Sequence, residues 1–122
     1  MNAPEVLIVD DDTSLSEALA QALLLDGYQV RVFEQAKTAL ERIRRDDYAV
    51  VVTDYLMPNM DGFELLEQVL EIDSAYSVIM MTGHGDVPMA VRAMQAGAYD
   101  FLQKPCRPQE LSKVVAQALQ RR

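Results

Sequence analysis

Residues 49–54 read Ala49-Val50-Val51-Val52-Thr53-Asp54, a run of small and β-branched apolar residues that stops at a carboxylate. β-Branched side chains suit extended chain. A run with no polar alternation fits a strand covered on both faces, as in a parallel sheet between layers of helices. Val6-Leu7-Ile8-Val9 and Val78 to Met81 have the same character. Val30 to Phe33 is mixed and reads as an edge strand, and Tyr99 to Gln103 is a fifth run.

Between these runs the apolar residues switch to a helical period. The stripes are Leu15, Ala18, Leu19, Ala22 and Leu23; Ala36, Ala39, Leu40 and Ile43; Leu65, Leu66, Val69 and Leu70; Val87, Ala90, Val91 and Met94; and Leu111, Val114, Val115, Ala118 and Leu119. Each stripe is expected to face the core. Ser14-Leu15-Ser16-Glu17 and Asp61-Gly62-Phe63-Glu64 have the form of capping boxes. Asp86 can cap the fourth helix and Pro108 can start the fifth. Gly27 and Gly97 stand where glycines close helices. Five strand–helix units joined by short connections predict an α/β fold, a parallel sheet with helices on both faces.

The chain has 122 residues, half of them hydrophobic, which suits a single domain over 1–122 with one continuous core. No apolar run approaches the roughly 20 residues that span a bilayer, and the N-terminus lacks the charged and apolar regions of a signal peptide. Cys106 is the one cysteine, so an internal disulfide is excluded and a reducing, cytoplasmic location is expected. A net charge of -8 argues against nucleic acid binding, which needs clustered Lys and Arg. It suits a divalent cation or a basic partner surface.

In an open parallel sheet the functional residues sit beyond the C-terminal ends of the strands. Asp10, Asp11 and Asp12 follow the first strand, Asp54 the third, Thr82 the fourth and Lys104 the fifth. Carboxylates gathered at one edge repel one another unless a cation neutralises them, and oxygen donors with open water positions suit Mg²⁺, with Mn²⁺ as its substitute. A screened carboxylate is a competent nucleophile for phosphoryl transfer. A lysine ammonium would draw off charge building on the phosphoryl oxygens, and a threonine hydroxyl could bond the product. Taken singly, each residue has an ordinary role: Asp12 shares a helix cap with Thr13 and Ser14, Lys104 is a solvated charge, Thr82 a turn residue. Their joint placement points to chemistry.

Val9-Asp10-Asp11, the stretch Thr53-Asp54-Tyr55-Leu56-Met57 through Asp61-Gly62, Met81-Thr82-Gly83 and Lys104-Pro105 follow one another in this order along essentially the whole chain. In this the sequence resembles a response-regulator receiver domain of two-component signalling, within the CheY-like superfamily. The resemblance implies a flavodoxin-like (βα)5 doubly wound sheet of strand order 2-1-3-4-5. It implies that Asp54 accepts a phosphoryl group from a sensor histidine kinase. Asp11, Asp54 and the Leu56 backbone carbonyl would bind Mg²⁺, and Asp10 would assist through a water. Lys104 would contact Asp54 and then the phosphoryl group, Thr82 and Phe101 would shift together as the switch, and the Lys104–Pro105 bond would be cis.

Leu56 and His84, two residues after Asp54 and Thr82, correspond to positions that flank the path of the hydrolytic water in related domains. An apolar Leu56 cannot orient that water, which predicts a long-lived phosphoryl group. Leu56 as a bare shield, His84 as an exposed loop residue and Phe101 as a half-buried strand aromatic are the alternatives. Cys106 stands where Phe often follows Lys-Pro and reads as a small buried side chain. The output surface is expected on the exposed side of Val91 to Gln95, on Tyr99 and Asp100, and on the fifth helix, as a face for homodimerisation or an output domain. Residues 81–101 are also similar to receivers of nitrogen-regulatory and dicarboxylate-transport type, which precede an ATPase domain acting on sigma-54 polymerase, and to nitrogen-fixation receivers with a helix-turn-helix output. On that likeness the chain reads as the N-terminal piece of a longer regulator.

The rivals are a haloacid-dehalogenase-type phosphatase using Asp10 of Asp10-Asp11-Asp12, a degenerate receiver that only binds partners, and a flavodoxin-like cofactor binder. The last is disfavoured because the strand-end loops are acidic where a phosphate cradle is glycine-rich and neutral or basic.

Overall fold

A computed structural model describes residues 5–120 apart from 46, 47, 49, 58, 59, 84 and 85. Strand and helix alternate as β1 (Glu5–Val9), α1 (Thr13–Leu25), β2 (Gln29–Phe33), α2 (Ala36–Arg45), β3 (Val50–Asp54), α3 (Gly62–Ile72), β4 (Ser77–Thr82), α4 (Val87–Gln95), β5 (Asp100–Gln103) and α5 (Pro108–Gln120). The sheet order is β2-β1-β3-β4-β5, and every pairing is parallel. β2 is an edge strand and partly exposed, as its mixed composition predicts.

Alternating side chains of the buried strands divide the core into two layers. Leu7, Val9, Val51, Val78 and Met80 face α2 and α3. Val6, Ile8, Val50, Val52, Ile79 and Met81 face α1 and α5. The apolar runs of β1, β3 and β4 are therefore continuous because both faces are covered.

The helix ends follow local chemistry. Asp61 accepts from the Glu64 N–H at 2.9 Å and Asp86 from the Met89 N–H at 3.3 Å, while Pro108 opens α5. Gly27 and Gly97 have φ of +94° and +106°. After α1 the Gly27 N–H reaches the Leu24 carbonyl and the Tyr28 N–H reaches that of Leu23, the paired bonds of a Schellman stop. The Lys104–Pro105 peptide bond is cis, as expected.

Four expectations need correction. Asp54 and Thr82 are the last residues of β3 and β4 rather than loop residues, because pairing continues through Asp54 opposite Met81 and Thr82 opposite Gln103. Asp12, not Ser14, caps α1, its carboxylate accepting from the Leu15 N–H at 3.2 Å. The buried line of α1 is Ser16, Leu19, Ala20 and Leu23, with Ala18 exposed and Leu15 and Ala22 half-buried. A stripe sought among apolar residues omits Ser16, whose hydroxyl is satisfied within the helix by donating to the Thr13 carbonyl at 3.2 Å. On α4 only Ala90 and Ala93 are buried, while Val87, Val91 and Met94 are 60%, 49% and 43% exposed. The two alanines take the face toward the sheet, which turns the large apolar residues outward.

Candidate functional site

The C-terminal ends of β1, β3 and β5 deliver Asp10, Asp54 and Lys104 to one edge of the sheet. Asp10 is fully buried and Asp54 nearly so, whereas Asp11 is exposed at the rim. Asp10, Asp11 and Asp54 each offer an oxygen such that all three lie within 4.8 Å of one another. The Lys104 ammonium donates to Asp54 Oδ2 at 2.8 Å and lies 3.0 Å from Asp10 Oδ2. The Asp10 contact is an ion pair off the line of a hydrogen bond. Asp10 Oδ1 accepts the Asp12 N–H at 2.9 Å.

These contacts leave the site unbalanced in charge. Burial pushes the Asp10 carboxyl above its ordinary range, although the Asp12 N–H and Lys104 oppose it. Burial likewise works against the Lys104 ammonium, but its hydrogen bond to Asp54 and its ion pair with Asp10 more than offset this and hold the lysine above its ordinary value. One ammonium facing three carboxylates leaves an excess of negative charge. An all-oxygen donor set of this kind fits a hard divalent cation.

The remaining expected residues take different places around the sheet edge and the core. Asp11, Asp54, Tyr55, Leu56, Gly83 and Lys104 line an open cavity at the sheet edge. Leu56 stands 68% exposed at its rim, and its N–H approaches Asp54 Oδ1 at 3.4 Å. Thr82 is fully buried at the end of β4, and its hydroxyl has no hydrogen-bond partner among the described residues. Phe101 is half-buried on β5 and packs against the core layer facing α2 and α3. Cys106 is free, buried in the other layer, and its thiol is pushed up chiefly by that burial. His84 and Ala49 lie outside the described residues.

Two features of the site were missed. Gly62, the first residue of α3, has its N–H on the Tyr55 carbonyl at 2.9 Å. A Cβ there would meet the Asp54 carbonyl oxygen at 2.4 Å and Tyr55 Cα at 2.7 Å. The signal was present, since glycine is a poor helix former placed inside the first turn. The second feature is the Tyr55 hydroxyl, which donates to Asp86 Oδ2 at 3.2 Å. No local pattern announces a bond between residues so far apart in sequence.

Comparison with known proteins agrees with this geometry. Residues 6–116 match the family described as the response regulator receiver domain. The chain is 42% identical over 120 residues to the C4-dicarboxylate transport transcriptional regulatory protein DctD of Rhizobium meliloti, an overlap of 98% of this chain and 26% of that protein. It is 37% identical to the transcriptional regulatory protein FixJ of Bradyrhizobium diazoefficiens, covering 93% of this chain and 56% of FixJ. The chain thus spans between a quarter and little more than half of these relatives. Among solved structures, the beryllofluoride-activated NtrC4 receiver domain dimer superposes with a TM-score of 0.91 at 32% identity, covering 96% of this chain and 97% of that one.

Proposed function

Since the chain belongs to the response regulator receiver domain family, we propose that it is a phosphorylation switch whose Asp54 accepts a phosphoryl group from a phosphohistidine of a sensor histidine kinase. One observation carries this reading. Lys104 holds Asp54 Oδ2 at 2.8 Å, while among the described residues Oδ1 has only a long 3.4 Å approach from the Leu56 N–H, and Asp54 borders an open cavity. Oδ1 is the freer oxygen and attacks phosphorus. The new P–O bond forms as the P–N bond of the phosphohistidine breaks, and the imidazole leaves with that electron pair.

Asp11, Asp54 and the Leu56 carbonyl would hold Mg²⁺, with Asp10 acting through a water; Mn²⁺ suits the same donors. The bound ion would supply positive charge to the phosphoryl oxygens. Lys104 lies beside the acceptor and stabilises the same developing charge. The Thr82 hydroxyl, buried without a partner among the described residues, donates to a phosphoryl oxygen once one is present, and Phe101 turns inward behind it. Phosphorylation adds roughly -1.5 to -2 charge and three strong acceptors. Driving a two-state element from 1:99 to 99:1 takes about 5.5 kcal/mol of differential stabilisation, so several such contacts act together.

The α4-β5-α5 face is the output surface, where Val87, Val91 and Met94 of α4 stand exposed. It serves for homodimerisation or for holding an output domain in a longer cytoplasmic transcription regulator, and the likeness of residues 81–101 to dicarboxylate-transport receivers favours the sigma-54-dependent kind. The relatives DctD and FixJ are longer transcriptional regulators, which supports the placing of this chain in a longer regulator. No helix among the described residues is long and apolar enough to cross a membrane.

Beryllofluoride with Mg²⁺, followed by NMR, is the test. The amides around Asp54 and Thr82 are expected to shift in the wild-type protein and not in Asp54→Asn. Modification at Asp10 that survives Asp54→Asn would favour the phosphatase reading. No response with millimolar Mg²⁺ would leave a receiver that only binds partners.

A further inference from the structure

Tyr55 follows the candidate phosphoacceptor directly, yet its side chain leads away from β3 and toward α4. Its hydroxyl donates to Asp86 Oδ2 at 3.2 Å. The other oxygen of Asp86 caps α4 through the Met89 N–H at 3.3 Å, and the Asp86 N–H is held by the Gly83 carbonyl at 3.1 Å. The phenol oxygen also lies over Gly83, where an added Cβ would meet it at 3.8 Å. Asp86 thereby joins three things: the cap of α4, the backbone just after Thr82, and the residue just after Asp54.

The ring is braced as well. Phe63 meets it edge-on, with centroids 6.4 Å apart and planes at 67°, and the Arg92 guanidinium of α4 lies 4.0 Å from the centre of the Phe63 ring. Edge-on ring contacts and a cation over a ring face are both attractive, because the ring face is negative and its edge positive. α4 is therefore gripped at its cap by the hydroxyl and farther along by Phe63.

We propose that Tyr55 is a positioning residue whose hydroxyl, by bonding Asp86, holds α4 in its resting place against the pull of the phosphoryl group on Thr82. This rests on the phosphorylation switch proposed above. A shift of Thr82 toward its new acceptor draws on the adjoining Gly83 backbone, and that backbone holds the Asp86 N–H. The Tyr55–Asp86 bond belongs to the resting arrangement and is given up in the other. It acts as a latch.

Tyr55→Phe isolates the hydroxyl, because the ring keeps its edge-on contact with Phe63. Titrating beryllofluoride at saturating Mg²⁺ should show it binding about tenfold tighter to Tyr55→Phe than to wild type, the factor carried by one hydrogen bond to a charged acceptor. Hydrogen exchange at the Met89 and Ala90 amides should be faster in the unliganded variant. In an Asp86→Ser background, which keeps a capping oxygen but cannot reach Tyr55, the Tyr55→Phe change should have no further effect. A purely structural tyrosine would lower the melting temperature and leave the affinity equal or weaker, and that result overturns the proposal. Failure of the wild-type protein itself to bind beryllofluoride would instead overturn the phosphorylation reading, and the latch with it.

Discussion

Leu56 shows how far one side chain can be read. It stands 68% exposed at the rim of the cavity beside Asp54, and its apolar side chain offers a hydrolytic water neither donor nor acceptor. Leu56→Asn restores one such group, and a phosphorylated variant is expected to lose its phosphoryl group about tenfold faster, the value of one hydrogen bond made in the transition state. Decay of the phosphorylated species, followed by a phosphate-release assay, measures this; an equal or longer lifetime would leave Leu56 a shield and nothing more. The convergence of Asp10, Asp54 and Lys104 was legible in the sequence because parallel strands of similar length end at one edge. The pairing of Lys104 with Asp10 as well as Asp54 was not. It depends on side-chain reach across the sheet, and strand order alone fixes no such distance. The Tyr55–Asp86 bond was hidden for the same reason.

At the scale of elements, the sequence was most informative where residues act on their immediate neighbours. Asp61, Asp86, Pro108, Gly27 and Gly97 all punctuate helices as their chemistry requires. It was least informative where a helix's rotation is set by the surface it packs on. Four apolar residues on α4 formed a tidy stripe, but Ala90 and Ala93 won the sheet-facing positions because small side chains allow close approach. Ser16 won a buried position on α1 because its hydroxyl could be satisfied within the helix. Gly62 carries the sharpest prediction at this scale. A methyl group there would press on the Asp54 carbonyl oxygen and the Tyr55 backbone, neither of which can swing aside. Gly62→Ala should destabilise the domain by about 1–3 kcal/mol, as overpacking does, and should weaken beryllofluoride binding by displacing Asp54. Urea denaturation and the same titration would check both; unchanged stability would mean that α3 can slide away from β3 at little cost.

For the whole molecule, the order β2-β1-β3-β4-β5 places the acidic cluster near the middle of the sheet and β5 at its edge, beside α4. The apolar side chains that α4 does not bury stand there with Ala90, Gln95, Phe101 and Gln103 around a groove. Self-association through this face should strengthen with beryllofluoride and fall by at least about tenfold in Val91→Glu, where pairing would bury an unpartnered charge. Analytical ultracentrifugation with and without the mimic separates the cases. A variant that still takes up beryllofluoride and still associates like wild type would place the contact elsewhere.

The division of the core has a consequence for how the chain comes into being. The layer against α1 is closed by α5, whose Leu111, Val114, Val115 and Ala118 cover the same side of β1 and β3. As the polypeptide leaves the ribosome, Leu19, Leu23, Val6, Ile8, Val50 and Val52 are all made before the helix that shelters them. Until α5 emerges, only α1 covers that side of the nascent sheet and the rest is bare oil facing water, the surface a chaperone has most reason to guard.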